Sequence, residues 1–126
     1  MKYSWLLGLF LATSVTAHEM TPTYFEFKSS ALADKVSETQ IKLFNRREDV
    51  EYYEISVFDG EWKAIPFASE NRLVRLDYLQ TKRVSVYVRD QDLDKIVYIC
   101  TLSKLKKDNV TSGAISSRIC SKMKEK

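Results

Sequence analysis

Lys82 to Arg89 reads KRVSVYVR, and this stretch decides the fold. Val84, Val86 and Val88 occupy every second position, with Ser85 and Tyr87 between them. Side chains two residues apart share a face of a β-strand, so the pattern describes a strand with one buried and one outer surface. β-Branched residues at the buried positions reinforce it. Working outward, Lys95 to Leu102 (KIVYICTL) is a near-continuous apolar run expected to be a buried strand. Arg72 to Asp77 (RLVRLD) is a short strand. Glu51 to Phe58 (EYYEISVF) points Tyr53, Ile55 and Val57 one way, and Thr39 to Phe44 (TQIKLF) does the same with Ile41 and Leu43. Asp59-Gly60 is a hairpin signal, from which Trp62 to Phe67 (WKAIPF) is expected to return as a strand. Met20 to Lys28 (MTPTYFEFK) is the first strand, with Pro22 near its start where an edge strand tolerates it.

Seven strands at spacings of roughly 8–12 residues are the pattern of an all-β antiparallel sandwich. Beyond Leu102 the alternation dissolves. Val110, Ala114, Ile115 and Ile119 suit a short helix within residues 108–122, giving the sandwich a C-terminal helix or tail.

The opening residues carry an export signal. Lys2 supplies a positive start, Trp5 to Ala12 (WLLGLFLA) an apolar core, and Val15 and Ala17 the small residues that precede a cut. Residues 1–17 are therefore expected to be a signal peptide cleaved before His18, and the mature chain to be periplasmic or secreted. The apolar run is shorter than the roughly 20 residues that span a bilayer, so no transmembrane segment is expected after cleavage. Residues 18–104 would form the sandwich and 105–126 a basic extension. Residues 18–94 hold 11 basic and 15 acidic side chains, whereas residues 95–126 hold 8 and 2.

The two cysteines, Cys100 and Cys120, are expected to pair, because an even number in an exported chain usually means a disulfide. Closing a loop of this size stabilises a fold by about 3 kcal/mol. This bridge would tie the extension to the last strand.

The order of segments resembles the N-terminal immunoglobulin-like domain of the PapD-like periplasmic chaperones. Met20-Thr21-Pro22-Thr23 is similar to their Ser/Thr-Pro opening, and Thr39 to Asn45 (TQIKLFN) to a second strand that ends in Asn. Tyr52 to Val57, the corner at Leu76 to Gln80 and Val84 to Arg89 continue the likeness. It covers residues 20–104 and implies an immunoglobulin-like sandwich that assists a surface or envelope assembly. Tyr24 stands where the family places a basic anchor, so no anchor residues are carried over.

Candidate chemistry is sparse. His18 is the single histidine; a nucleophile–base arrangement would need it held inside a pocket, whereas it is expected at a frayed chain end, and no enzymatic activity is expected. Exposed by cleavage, His18 would offer copper a terminal amine and an imidazole, nitrogen ligands that this metal favours. The residue is also simply a frayed chain end. Asp90 to Asp94 (DQDLD) resembles part of a calcium loop but lacks its glycine and closing glutamate. Tyr52, Trp62, Tyr87 and Tyr98 lie on neighbouring strands, and those left on the outer faces are candidates for binding a protein.

The sequence thus leads to an exported, non-enzymatic, cofactor-free domain. It would bind another envelope or surface protein, and not nucleic acid, by an exposed sheet edge or an aromatic face. The alternatives are copper binding at His18 and a structural or accessory role in an envelope or virion.

Overall fold

The computed structural model describes residues 18–105 and 116–125, so the export signal expected at residues 1–17 and the 108–115 part of the expected helix lie outside it. Alternation of side chains lays down two sheets whose inner faces meet. In chain order the strands are β1 (Glu19–Thr21), β2 (Tyr24–Phe25), β3 (Lys28–Ser29), β4 (Val36–Phe44), β5 (Val50–Phe58), β6 (Leu73–Arg75), β7 (Thr81–Arg89), β8 (Tyr98–Leu105) and β9 (Arg118–Met123). In the first sheet, β4 pairs antiparallel with β7 along its whole length, from Val36 opposite Arg89 to Phe44 opposite Thr81. The other side of β4 takes β1 at one end and β3 at the other. The second sheet runs β2-β9-β8-β5-β6 and is antiparallel except where β2 meets β9.

The core lies between these layers. β4 supplies Ile41 and Leu43, β7 supplies Val84, Val86 and Val88, β5 supplies Tyr53, Ile55 and Val57, and β8 supplies Ile99. The all-β sandwich expected from the alternation is therefore the fold.

Three elements differ from the sequence reading, each for a physical reason. Residues 20–28 form three short strands in place of one. Pro22 has no N–H to continue the ladder. The chain there leaves β4 for β9, where Ser121 Oγ donates to the Pro22 carbonyl (2.6 Å) and Lys122 N–H to that of Thr23 (3.0 Å). Trp62–Phe67 does not return as a strand. It holds β5 through one bridge, Phe58 to Ala64, and then crosses to the first sheet, where Ala68 bridges to Tyr87. Arg118–Met123, expected within a helix, is a strand seated between β8 and β2. Its residues alternate, with Ser121 buried and Arg118 and Lys122 outward. The last described segment is thus an inner member of the sandwich and not an appendage. Cys100 and Cys120 face each other across β8 and β9 and are joined as a disulfide, with Cα atoms 4.0 Å apart.

One end of the sandwich closes around Asn45, which is fully buried. Its Nδ2 donates to the carbonyls of Val50 (2.8 Å) and Leu76 (3.0 Å). Its Oδ1 accepts from the Arg47 N–H (2.9 Å) and from the Tyr53 hydroxyl. Its backbone carbonyl accepts from Leu79 N–H (2.7 Å) and its N–H donates to Gln80 (3.1 Å). The β4–β5 turn and the Leu76–Gln80 corner are pinned by this one residue. Asn45→Ala strands two buried carbonyls and a hydroxyl, and is expected to cost about 2–4 kcal/mol of stability in urea unfolding. A loss below about 1 kcal/mol would remove Asn45 from this role.

Candidate binding face

The outer face of the second sheet gathers side chains from five segments. Phe58 on β5 lies opposite Tyr98 on β8, Tyr98 opposite Lys122 on β9, and Lys122 beside Tyr24 on β2, making one row across the sheet. Two residues further along β8 and β9 comes the Cys100–Cys120 disulfide, and two further again Leu102 opposite Arg118. Successive outward residues along a strand stand about 7 Å apart.

Trp62 covers this row. Its ring is parallel to that of Tyr98, with centroids 4.2 Å apart and planes within 4°. It meets Phe58 at a tilt, 5.7 Å away. The Arg118 guanidinium sits 5.5 Å from the Phe58 centroid and 6.0 Å from that of Trp62. A cation held against aromatic rings is attracted by their electron-rich faces. Trp62 keeps 48% of its surface exposed.

A tight turn holds Trp62 there. The Asp59 carboxylate accepts from the N–H groups of Glu61 (2.8 Å) and Lys63 (2.9 Å). The Asp59 N–H donates to Lys63, and its carbonyl accepts from Trp62. Those N–H donors, led by Lys63, hold the Asp59 carboxyl below its ordinary pKa. Asp is suited to such a turn because its short side chain reaches its own backbone two residues on. Trp62 itself has φ 64°, the left-handed region that non-glycine residues seldom occupy.

Of the aromatic residues singled out by sequence, Trp62 and Tyr98 come together here. Tyr52 lies on the same face but further along β5, opposite Lys104 and Arg75. Tyr87 belongs to the other sheet, where it is half-buried and opposite Glu38. Arg118, Lys122 and Tyr24 are members of the face that the sequence does not single out. The signal for the first two is the alternation Arg118, Cys120, Lys122, obscured where this segment reads as helix.

His18 is not a frayed end. It is 2% exposed, and its ring packs 4.5 Å from that of Tyr53. The neutral ring can donate from Nε2 to Thr101 Oγ1 (2.6 Å), whose hydroxyl points on to Met20 Sδ (3.6 Å), while Nδ1 accepts from Ser117 Oγ (3.2 Å). Copper at this ring would have to displace one of those hydroxyls. Among the described residues, no group of three or more His, Cys, Asp or Glu side chains gathers as a metal site. The Asp90–Lys95 stretch is a 3₁₀ turn. Its buried Asp92 is held by Arg89 (2.9 Å) and Lys95 (3.9 Å), and Ser37 donates to Asp90 (2.6 Å). No helix among the described residues is long and apolar enough to cross a membrane.

Burial lowers the His18 pKa from 6.5 to about 4, with a hydrogen bond to Thr101 opposing and the Arg47 charge assisting. Above pH 6.5 the ring is neutral in folded and unfolded chains alike. Between pH 6.5 and 4 the unfolded chain takes up a proton that the folded chain refuses, so stability falls by about 1.4 kcal/mol per pH unit, to a total of about 3 kcal/mol. Urea titrations across this range should show that slope, and His18→Gln should abolish it. An unchanged slope in the variant would mean that other groups carry it. Comparison with known proteins adds no relative: no family model, no curated protein and no solved structure matches this chain.

Proposed function

We propose that this chain is an exported, non-enzymatic, immunoglobulin-like domain that binds another envelope or surface protein through the outer face of its second sheet. Assistance to the assembly of that partner, in the manner of the PapD-like chaperones, is its most concrete form. The observation that carries this reading is Trp62, stacked on Tyr98, flanked by Arg118, half open to solvent and fixed by a turn that holds it in a left-handed conformation. Trp, Tyr and Arg are the residues that most often dominate protein–protein binding energy. An anchor already ordered before binding loses little conformational freedom on association.

The strand order supports the immunoglobulin-like part of the reading. The opening segment is shared between sheets, β4 and β7 pair on one side, and β9-β8-β5 pair on the other. The disulfide supports an oxidising compartment and hence the export signal read at residues 1–17.

The face is favoured over the sheet edges. β6 is three residues long, and the β1 and β3 edge is broken by the excursion to β9. β7 is longer, but Ala68 bonds to it at Tyr87 through both backbone groups, and Lys82 and Arg83 stand near its start. Charged residues and covering segments are how natural edges resist added strands.

Immobilised wild-type chain should capture a partner from the native envelope that Trp62→Ala does not. The purified partner should then bind the variant at least about 30-fold more weakly, the loss expected of an aromatic anchor. Thermal unfolding of both proteins controls for folding. Equal affinity of wild type and Trp62→Ala for the captured partner would overturn this assignment of the face.

A further inference from the structure

The charges around the Trp62 stack narrow the chemistry of the partner. On the strands of the second sheet the other cations already have a carboxylate: Lys104 has Glu54 (3.2 Å) and Arg75 lies near Glu51 and Asp77, while Lys124, just past β9, has Glu26 (3.2 Å). Arg118 and Lys122 are different. Both point outward, and neither has a carboxylate within 4.0 Å among the described residues. Arg118 rests against the rings of Phe58 and Trp62, and Lys122 stands between Tyr98 and Tyr24. The two cations therefore bracket the aromatic stack, and they lie on one strand.

Arg118 and Lys122 are four residues apart on β9 and point the same way, which separates their Cα atoms by about 13 Å. Cys120, midway between them, also points outward and is closed by its disulfide to Cys100, so the middle of the strip is apolar. The Arg118 side chain leans from β9 across β8 toward Phe58 and Trp62, so its charge stands beside the aromatic stack.

Resting on the protein-binding reading above, we infer that the partner presents an acidic segment in which two carboxylates flank an apolar side chain. The carboxylates meet Arg118 and Lys122, and the apolar side chain meets the exposed edge of Trp62. Opposite charges at such a rim steer association and fix register more than they add raw affinity. A nucleic acid would ask for cations repeated along a groove, whereas this strip offers two with an apolar centre.

The experiment uses short capped peptides and the isotope-labelled chain, with the Trp62 indole N–H as reporter in NMR titrations at low salt. One peptide carries Asp-Ser-Leu-Ser-Asp, and its control replaces both Asp residues with Asn. The acidic peptide is expected to bind about ten-fold more tightly, an advantage that fades as salt rises. The double variant Arg118→Glu, Lys122→Glu should reverse the preference toward a Lys-Ser-Leu-Ser-Lys peptide, which also shows that the variant is folded. If acidic and neutral peptides shift Trp62 with equal affinity, the acidic inference fails while the binding face stands. Silence of the Trp62 signal toward every peptide, in a chain that still captures its envelope partner, overturns this docking mode. A single-stranded oligonucleotide outcompeting the acidic peptide would overturn both the peptide assignment and the protein-binding reading.

Discussion

A run of hydrogen bonds through the interior, from Ser117 and Thr101 to His18 and from Tyr53 to Asn45, constrains the rest of the molecule. Between packed sheets there is space about 10 Å thick that side chains must fill. Across much of this sandwich Val, Ile and Leu fill it. Toward the Asn45 end it also holds an imidazole, a phenol, an amide and the hydroxyls of Thr101 and Ser103, all buried. Such groups are tolerated only when their hydrogen bonds are met, since each unmet one costs on the order of 1–3 kcal/mol. Burial pushes the Tyr53 hydroxyl up to about 12, so it stays protonated and donates to Asn45. The requirement also fixes register. His18 reaches Thr101 and Ser117 from the residue next to β1, where Glu19 lies opposite Phe44. A one-residue slip of β1 would turn Met20 outward and lose both its core contact and the imidazole's partners.

From that fixed start comes the composition of the outer face. Because β1 is held against β4, the chain after Pro22 can cross to β9 and return as β3, and β9 becomes an inner strand between β2 and β8. Inner strands of a sheet place their outward side chains at its centre. That is why Arg118, Cys120 and Lys122, which in a loose tail would be scattered charges, form a strip beside the aromatic row. The disulfide, joining directly opposed residues, keeps β8 and β9 from sliding past one another and so keeps Arg118 in reach of Phe58 and Trp62.

The sequence is most legible where alternation is strict. Val84, Val86 and Val88, or Tyr53, Ile55 and Val57, carry their buried face in their own spacing, and the two-layer fold comes from them. Trp62–Phe67 is hard to read because an Asp-Gly pair marks a turn and leaves the path of the chain beyond it open. Here the turn ends with Trp62 at a positive φ, and Pro66 lacks the N–H that a paired strand requires at that point. Arg118–Met123 imitates a helix because Ile115 and Ile119 are four apart, a helical spacing, while the inward residues of β9, Ile119, Ser121 and Met123, have a polar serine at their centre. His18 looks like a frayed end because its partners, Thr101 and Ser117, are more than 80 residues away in the chain. No local pattern encodes such a contact. The binding face inherits these difficulties. Trp62 and Tyr98 can be picked out as aromatics, but their stacking depends on that turn and their cations on that strand.

Trp62 shows how local preference and tertiary structure divide the work. A left-handed backbone costs a non-glycine residue about 1–2 kcal/mol, and a half-exposed indole leaves much of its apolar surface in water. Gly60, two residues earlier, could have taken an unusual conformation at no such cost, yet the positive φ falls on the tryptophan. The offset comes from the Asp59 carboxylate, which collects two N–H groups of the turn, and from the Tyr98 ring, which receives one face of the indole. Each of those contributions orients the side chain as well as stabilising it. Folding alone is satisfied by any residue that lets the chain pass from β5 to the first sheet. An oriented tryptophan with a free edge, set between two cations lacking carboxylates among the described residues, is better suited to meeting another surface than to closing its own.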